Sequence, residues 1–300
     1  KTGASESVTK SVCVFNGVLK TSSPTGTHIL HNYAYLAVGD GGLQIVDLSN
    51  LANPQVVKTV NTPGSAEAVY VLGNYAYVAD DAMGLQVIDI SDPFNALIVG
   101  SSNTPRSAKE IYVSNQYAYI ADGDYGLQIV NVANAASPSH VSTLELPGFA
   151  KDVYVIDNYA YAACGTGGLQ IVSISDPATP FIVGSVKIES EDTLCIFVKD
   201  HYCYTAGSGG FSVIDVSNPS APGLVARLPF TQAQKVSIYG DYAYVINADD
   251  FLFVIDLSSP VNPITTASVK MPKGLRDIYI YSNQVYIADR QGLIITRVFE

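Results

Sequence analysis

Tryptophan is missing from this 300-residue chain, and charged residues make up only 14% of it. The lack of tryptophan argues against lectins that stack sugars on an indole ring and against quinone-dependent enzymes, whose sites depend on that residue. No run approaches the roughly 18 consecutive apolar residues that a membrane-spanning helix needs. We therefore expect no insertion of this chain into a membrane.

Basic side chains are also scarce. The chain has 16 lysines and arginines against 27 aspartates and glutamates, which gives a formal net charge of −11. Such a surface repels nucleic acid and anionic lipid over most of its area. We therefore expect neither of them as a partner.

Apolar residues, by contrast, make up 48% of the chain, enough to offset the chain entropy that folding costs. They recur in an internal repeat. The stretch GLQIVDLSNLANP begins at Gly42 and is rewritten as GLQVIDISDPFNA, GLQIVNVANAASP and GLQIVSISDPATP from Gly84, Gly126 and Gly168. The first position of this stretch recurs at Gly210, and then at Phe251 and Gly292, each 41 residues after the last. The chain therefore contains seven units of about 42 residues.

Each unit contains four short runs that are typical of strands. In residues 66–105, EAVYVLG and NYAYVAD meet at Gly73-Asn74, a pair that suits a tight hairpin turn. The runs LQVIDIS and ALIVGSS follow, separated by a Ser-Asp-Pro break. No window shows the 3.6-residue period of an amphipathic helix, so we expect almost no helix.

A lone four-stranded sheet of this size exposes both its faces and its edges, so seven of them must stack or close into a ring. The sequence therefore predicts an all-β fold, a seven-bladed β-propeller of four-stranded repeats. The last unit stops at its third strand, GLIITRVFE, while Asn16 to Gly26 resembles a fourth strand and its turn. We expect residues 16–23 to complete the last blade and close the ring. A single domain would then span 1–300, with an N-terminal extension at 1–15 and seven repeats from about 25 to 300.

The repeated cores LQIVD, LQVID, FSVID and LFVID, each followed by Ser and Pro, resemble the LVIVD repeat family of β-propellers, found mostly in bacterial and archaeal cell-surface proteins. The resemblance covers nearly the whole chain. It implies a propeller fold and an exported location, and no activity, so it transfers no functional residues. Lys1 in place of Met also indicates that something upstream was removed, either a cleaved export signal or a segment cut off for another reason. We expect an extracellular or cell-surface location.

Residues that recur in most units are best interpreted as structural. The glutamines Gln44, Gln86, Gln128 and Gln170 are expected to bridge neighbouring blades through the backbone. The Asp of the DxSxP motif is expected to accept backbone N–H bonds from the turn that follows it. Paired tyrosines such as Tyr75 and Tyr77, with Ala76 on the other face, are expected to interlock in the core.

Residues that vary between units are the better candidates for function, because near-identical blades gain function by changing their loops. The loops that enter each first strand should line one mouth of the central channel. They carry the candidate ligand or partner residues Glu67, Lys109, Glu110, Lys151, Asp152, Lys235, Arg276 and Asp277.

Turns between the second and third strands should open on the same face. Asp40 and Asp289 lie in this group, together with the candidate Ca²⁺ ligands Asp80, Asp81, Asp122, Asp124, Asp249 and Asp250. A solvated rim would show the same pattern, because Asp and Gly are good turn formers. No cofactor other than Ca²⁺ is indicated.

Catalytic signatures are absent: the chain has no GxSxG, GxxxxGK[ST] or HExxH motif. The histidines His28, His31, His140 and His201 occupy unrelated repeat positions. Of the four cysteines (Cys13, Cys164, Cys195 and Cys203), Cys164 and Cys195 should both lie near the channel mouth, either as a disulfide between blades or as two buried thiols. The hairpin register should pair Cys195 with a residue near Ala206.

These observations favour a non-enzymatic, secreted or cell-surface scaffold that binds a protein or a small molecule through its channel-mouth face. Two alternatives remain open. One is a metal-dependent hydrolase or lyase with its ion in the channel. The other is a subunit of an extracellular lattice or filament.

Overall fold

The structure, a computed structural model, describes residues 15–188 and 191–297. The predicted N-terminal extension falls outside this part except for its last residue, as do Cys13 and the last three residues of the chain. All regular secondary structure in the described ranges is β-strand. No helix long and apolar enough to cross a membrane occurs there.

The described residues form strands of five to seven residues, in chain order β1 (Phe15–Lys20), β2 (Gly26–Leu30), β3 (Tyr33–Ala37), β4 (Leu43–Asp47), β5 (Gln55–Val60), β6 (Ala68–Leu72), β7 (Tyr75–Ala79), β8 (Leu85–Asp89), β9 (Leu97–Ser102), β10 (Glu110–Ser114), β11 (Tyr117–Ala121), β12 (Leu127–Asn131), β13 (Ser139–Leu144), β14 (Asp152–Ile156), β15 (Tyr159–Ala163), β16 (Leu169–Ser173), β17 (Phe181–Val186), β18 (Thr193–Lys199), β19 (Tyr202–Gly207), β20 (Gly210–Asp215), β21 (Gly223–Pro229), β22 (Ala233–Tyr239), β23 (Tyr242–Asn247), β24 (Phe251–Asp256), β25 (Ile264–Lys270), β26 (Asp277–Tyr281), β27 (Gln284–Asp289) and β28 (Gly292–Arg297).

Tight turns set the register of the hairpins. In the second unit, Leu72 pairs with Tyr75, so Gly73-Asn74 forms the two-residue turn that the sequence predicts. Gly73 has a φ of +59°, in the left-handed region that glycine enters without steric cost. The β-branched and aromatic residues on either side then pair directly across the hairpin, up to Ala68 opposite Ala79.

The strands form seven antiparallel sheets of four. We call them blades 1 to 6 (β2–β5, β6–β9, β10–β13, β14–β17, β18–β21 and β22–β25) and blade 7 (β26–β28 with β1). The first strand of each blade contacts the first strand of the next, and β26 returns to β2. These seven innermost strands surround the central channel, and the predicted seven-bladed propeller is confirmed.

Ring closure depends on the N-terminal strand. In blade 7, β1 pairs antiparallel with β28, with Val18 opposite Ile294 and Leu19 opposite Leu293. The first and last described strands therefore share one sheet. The closing strand predicted at 16–23 is observed at Phe15–Lys20. Every blade in the closed ring therefore has a neighbouring blade on both sides.

The core lies between adjacent blades. Tyr77 and Leu85 of blade 2 pack with Ile111 of blade 3, whereas Ala76, on the other face of the same strand, packs toward blade 1. This is the large–small interlock predicted for the paired tyrosines. Fully burying one Leu or Ile contributes about 1.5–3 kcal/mol, and each interface contains several such residues, so the blades are held mainly by apolar contact.

The two kinds of loop predicted for one face do meet there. The turn between the second and third strands of one blade forms a β-bridge with the entry loop of the next, for example between Asp81 and Ala108. Gly123 and Ala150 make the equivalent bridge between blades 3 and 4. This end of the propeller is the channel mouth.

Candidate functional site

Seven residues at the same register, one from each innermost strand, form what we call the mouth ring. Each begins the regular pairing of its strand with the second strand, as Glu110 does opposite Ala121 and Asp277 opposite Ala288. The ring consists of Gly26, Ala68, Glu110, Asp152, Cys195, Lys235 and Asp277. Four of the eight predicted ligand residues thus lie on one level of the channel.

An ion pair crosses this ring. Lys235 of blade 6 places its Nζ 2.8 Å from Oε2 of Glu110, three blades away, and the two side chains are only 23% and 19% exposed. Burial alone would lower the pKa of Lys235, but the carboxylates of Glu110, Asp152 and Asp277 outweigh it and hold that pKa above its ordinary range. Lys235 is therefore a charged bridge across the channel.

The two aspartates of the ring are buried, and each joins its blade to the next one. Oδ2 of Asp152 accepts a hydrogen bond of 2.8 Å from the backbone N–H of Ile196, and Oδ2 of Asp277 accepts one of 2.7 Å from Thr27. Burial raises the pKa of Asp152 to about 6, with Lys235 opposing the rise and Glu110 adding to it. Burial also raises the pKa of Asp277. These two residues therefore fasten blades as well as lining the mouth.

The other four predicted ligand residues lie one position earlier, at the rim. Nζ of Lys109 contacts Oε1 of Glu67 at 3.3 Å and Oδ1 of Asp81 at 2.9 Å. Lys151 is half-buried and Arg276 is exposed, and neither forms an ion pair with any other described residue. The structure thus brings all eight predicted residues to one face and leaves two of their cations without a carboxylate.

Most of the candidate Ca²⁺ ligands act as loop anchors. Buried Asp80 accepts hydrogen bonds from the Thr62 hydroxyl at 2.6 Å and the Gly64 N–H at 2.9 Å. Asp122 does the same for the next loop, through Thr104 and Ser107.

Asp81 binds Lys109 and the Ser107 hydroxyl, and Asp250 accepts from Gly274 N–H. Asp124 and Asp249 are exposed. No group of three or more His, Cys, Asp or Glu side chains that could hold a metal ion occurs in residues 15–188 and 191–297. The donors that surround Asp80 and Asp122 show that these two aspartates anchor the entry loops.

An aromatic collar lies two residues further along the innermost strands. The neighbouring rings have centroids 4.7–5.0 Å apart, and Ser237 of blade 6 is the one member without a ring. The aromatic members are His28, Tyr70, Tyr112, Tyr154, Phe197 and Tyr279. With the mouth ring, the collar encloses a cavity of about 310 Å³. Burial lowers the pKa of His28 to about 4 and raises that of Tyr279 to about 12, so both are neutral at physiological pH.

The cysteines of the described part are buried free thiols, Cys164, Cys195 and Cys203. Cys195 pairs with Ala206, as the register predicts. Burial raises the pKa of Cys164 to about 12 and raises that of Cys195 well above its ordinary value. A protonated, buried thiol is a poor nucleophile.

The repeated glutamines and aspartates are structural, although the glutamines have unexpected partners. Nε2 of Gln86 donates to Met83 O at 3.0 Å, inside its own blade, and Gln128 and Gln170 do the same three residues back. These three brace turns, whereas the sequence predicted bridges between blades. Gln44 does contact the neighbouring blade, because its Oε1 accepts a hydrogen bond from the hydroxyl of Thr21, directly after β1 of blade 7. The DxSxP aspartates cap their turns as predicted; Asp89, for example, accepts from Ser91 N–H at 2.9 Å.

A second cavity, of about 550 Å³, opens at the mouth beside Lys235. We call it the basic pocket. Its charged lining consists of Glu67, Lys235, Asp250, Lys273, Arg276 and Arg290. Lys273 and Arg290 are absent from the residues predicted from sequence. Arg290 lies in the turn DRQG between the second and third strands, where other units have GDGG, DAMG or GDYG. A basic residue in a turn that is acidic in those units was the sequence feature that could have identified Arg290.

A family model described as "LVIVD repeat" matches the chain seven times, at residues 27–62, 63–104, 105–145, 147–188, 192–228, 231–270 and 275–296. No curated protein matches the chain. The family match covers every blade.

Solved structures with the same architecture include U3-55K (TM-score 0.76, 11% identity, covering 94% of this chain and 98% of that one). The computationally designed Ika8 protein gives a TM-score of 0.69 at 10% identity, covering 95% and 98%. BamB from Moraxella catarrhalis gives 0.66 at 16% identity, covering 93% and 84%. At these identities the likeness shows the fold alone.

Proposed function

The chain belongs to the LVIVD repeat family, and from that premise we propose that it is a non-enzymatic binding scaffold whose recognition surface is the channel mouth. The family resemblance also supports a location outside the cell or on its surface.

One contrast between neighbouring positions of the innermost strands carries this proposal. The residue that follows each mouth-ring residue is nearly uniform and, Thr27 apart, packs in a core between blades; these residues are Thr27, Val69, Ile111, Val153, Ile196, Val236 and Ile278. In the mouth ring the same seven strands present glycine, alanine, cysteine, lysine and three acids. Residues that build the propeller repeat, whereas residues that face an incoming ligand differ from blade to blade.

The shape and charge of the mouth suit recognition. A pocket of 550 Å³ lies within the range of small-molecule sites, roughly 300–1,000 Å³. Lys151 and Arg276 stand on opposite sides of the ring without carboxylate partners in the described ranges, free to pair with an incoming group. Burial raises the pKa of the Cys195 thiol, which keeps it protonated and therefore a poor nucleophile.

The test is capture of partners from envelope and culture-fluid extracts of the source organism. Lys151→Glu and Arg276→Glu reverse two mouth charges that no described ion pair uses. The matched control is Arg297→Glu, because Arg297 is also exposed and lies opposite Gln284, at the far end of the propeller. We expect the mouth variants to lose a partner that the native protein and the control retain, at unchanged melting temperature. Equal capture by all four proteins would refute the proposal.

A lattice or filament subunit is the second candidate, and one observation favours it. The outermost strands of three blades begin with exposed apolar residues: Leu97, Phe181 and Ile264, each 56% exposed. Regularly spaced apolar side chains on the outer edges of blades suit contacts between copies. Sedimentation at rising concentration would show concentration-dependent assembly if this function holds, and a single monomeric species if it does not.

A further inference from the structure

The basic pocket gathers positive charge on a strongly acidic protein. The chain has only 16 basic residues and a net charge of −11, yet four of those residues line this one cavity. The lining contains two carboxylates, Glu67 and Asp250. The local excess of cations is therefore opposite in sign to the net charge of the chain.

The carboxylates of the pocket already form ion pairs with lysines from outside its lining, although Lys109 is shared with Asp81. Glu67 pairs with Lys109, at 3.3 Å, and Asp250 pairs with Lys270, at 3.7 Å; both lysines lie outside the lining. Lys235 is satisfied by Glu110 across the channel.

Lys273, Arg276 and Arg290 remain, and none of them pairs with a carboxylate in residues 15–188 or 191–297. Lys273 helps to lower the pKa of Asp250, but it forms no ion pair with it. Three cations without an ion pair around one cavity repel one another, and an anion bound between them would relieve that repulsion.

Backbone contacts hold Arg290 in place. Gly274 has a φ of +90°, and a Cβ added there would lie 2.5 Å from Cγ of Arg290, so the arginine stem packs directly on the glycine. The N–H of Arg290 donates to the carbonyl of Gly274 at 3.1 Å, and the N–H of Gly274 donates to Oδ1 of Asp250 at 2.6 Å. Three loops of blades 6 and 7 are thus tied together. Arg290 is exposed, but its backbone and the stem of its side chain are held by these contacts, so it loses less entropy on binding than an unrestrained arginine does.

We propose that the basic pocket binds a small anion with two or more negative charges on phosphoryl or carboxylate groups. Arg276 and Arg290 recognise it, because guanidinium groups bind both kinds of oxyanion through paired hydrogen bonds. Lys273 adds charge, and the amide of Gln234, in the same lining, adds a donor. This inference rests on the proposed function, since it names the ligand class for part of the channel mouth.

The test is calorimetric titration of the full chain with inorganic pyrophosphate and, separately, with citrate, at about 0.15 M salt, where exposed charges are screened beyond about 8 Å. The two probes distinguish a phosphoryl from a carboxylate ligand. We expect at least one of them to bind the native protein. Arg276→Gln and Arg290→Gln should each weaken binding about 10- to 100-fold, the usual effect of losing a charged hydrogen bond. Arg297→Gln, at the far end, should leave it unchanged.

A second variant separates a shaped pocket from diffuse charge. Gly274→Ala keeps every cation but places a methyl group where the Arg290 stem lies, so binding should weaken although the net charge is the same. Because alanine is strained at a φ of +90°, the melting temperature and circular dichroism of this variant are measured to check that the propeller remains folded.

Each outcome decides one question. If neither probe binds, or if Arg297→Gln weakens binding as much as Arg290→Gln does, the anion site is wrong. If the probes fail while Lys151→Glu still abolishes capture from extracts, the mouth remains the recognition surface and only the anion inference fails. If the capture variants behave as native while pyrophosphate or citrate binds as expected, the pocket stands and the partner-binding proposal fails.

Discussion

The ion pair across the channel gives the sharpest test of the mouth geometry. Lys235→Met removes the only cation of the mouth ring and leaves Glu110, Asp152 and Asp277 facing one another. Exposed ion pairs contribute about 0–1 kcal/mol, whereas removing one partner of a fully buried pair costs about 3–5 kcal/mol. At 23% and 19% exposure this pair lies between those cases, so we expect a loss of about 2 kcal/mol in the free energy of unfolding.

The loss should depend on pH with a definite sign. The folded-state pKa of Asp152, about 6, lies above its ordinary value of 3.8. The stability linked to this group is therefore full below about pH 4 and is lost as the pH rises through 6. Without Lys235, Asp152 and Asp277 lose the cation that favours their ionised forms. The difference between Lys235→Met and native protein should therefore be larger at pH 8 than at pH 5.

Urea unfolding at both pH values measures this difference, and the double variant with Glu110→Gln isolates the pair. We expect a coupling energy of about 1–2 kcal/mol between positions 235 and 110. The matched control is Lys199→Met, because Lys199 pairs with exposed Asp241 at the far end and should cost less than about 1 kcal/mol. A coupling indistinguishable from zero, or a variant equally destabilised at pH 5 and pH 8, would refute the reasoning.

Three further predictions concern Asp152, the closing strand β1 and the buried cysteines. Between about pH 4 and pH 6 the native protein should lose up to about 3 kcal/mol of its free energy of unfolding as buried Asp152 ionises, and Asp152→Asn should remove this dependence on pH. Urea titrations at several pH values measure it, and identical profiles for the two proteins would contradict the raised pKa of Asp152. A chain that begins at residue 21 should melt well below one that begins at Phe15, because only the shorter chain lacks β1; equal melting temperatures would mean that β1 does not hold the ring. Iodoacetamide at pH 8 should leave Cys164, Cys195 and Cys203 unmodified until urea is added, since all three are buried with raised pKa values; rapid labelling of native protein, read by mass spectrometry, would contradict this.

The fold could be predicted because the sequence repeats the same unit of about 42 residues seven times. The turn pair Gly73-Asn74 fixes one hairpin, and its equivalents fix the others in the same register. The likeness of Asn16 to Gly26 to an internal fourth strand was enough to predict ring closure. The hairpins follow from local turn residues, whereas the number of blades and the closure follow from the repetition along the whole sequence.

The site could be predicted only in outline. Sequence position places Lys235 and Glu110 at one face, but their contact depends on the rotation of blade 6 against blade 3, which no local pattern encodes. The aromatic collar was not predicted, because the more regular tyrosine pattern is that of Tyr75 and Tyr77, which belongs to the second strands. Its own signal, an aromatic or His in the middle of six first strands, was present.

The central claim is that recognition occurs at the channel mouth, and site-specific photocrosslinking tests it whatever the chemical nature of the ligand. A photoreactive amino acid in place of Arg276 is compared with one in place of Arg297, each exposed to envelope and culture-fluid extract and analysed by mass spectrometry. The account predicts defined adducts at position 276 and none at 297. Adducts at 297 alone, or the same adducts at both positions, would contradict it.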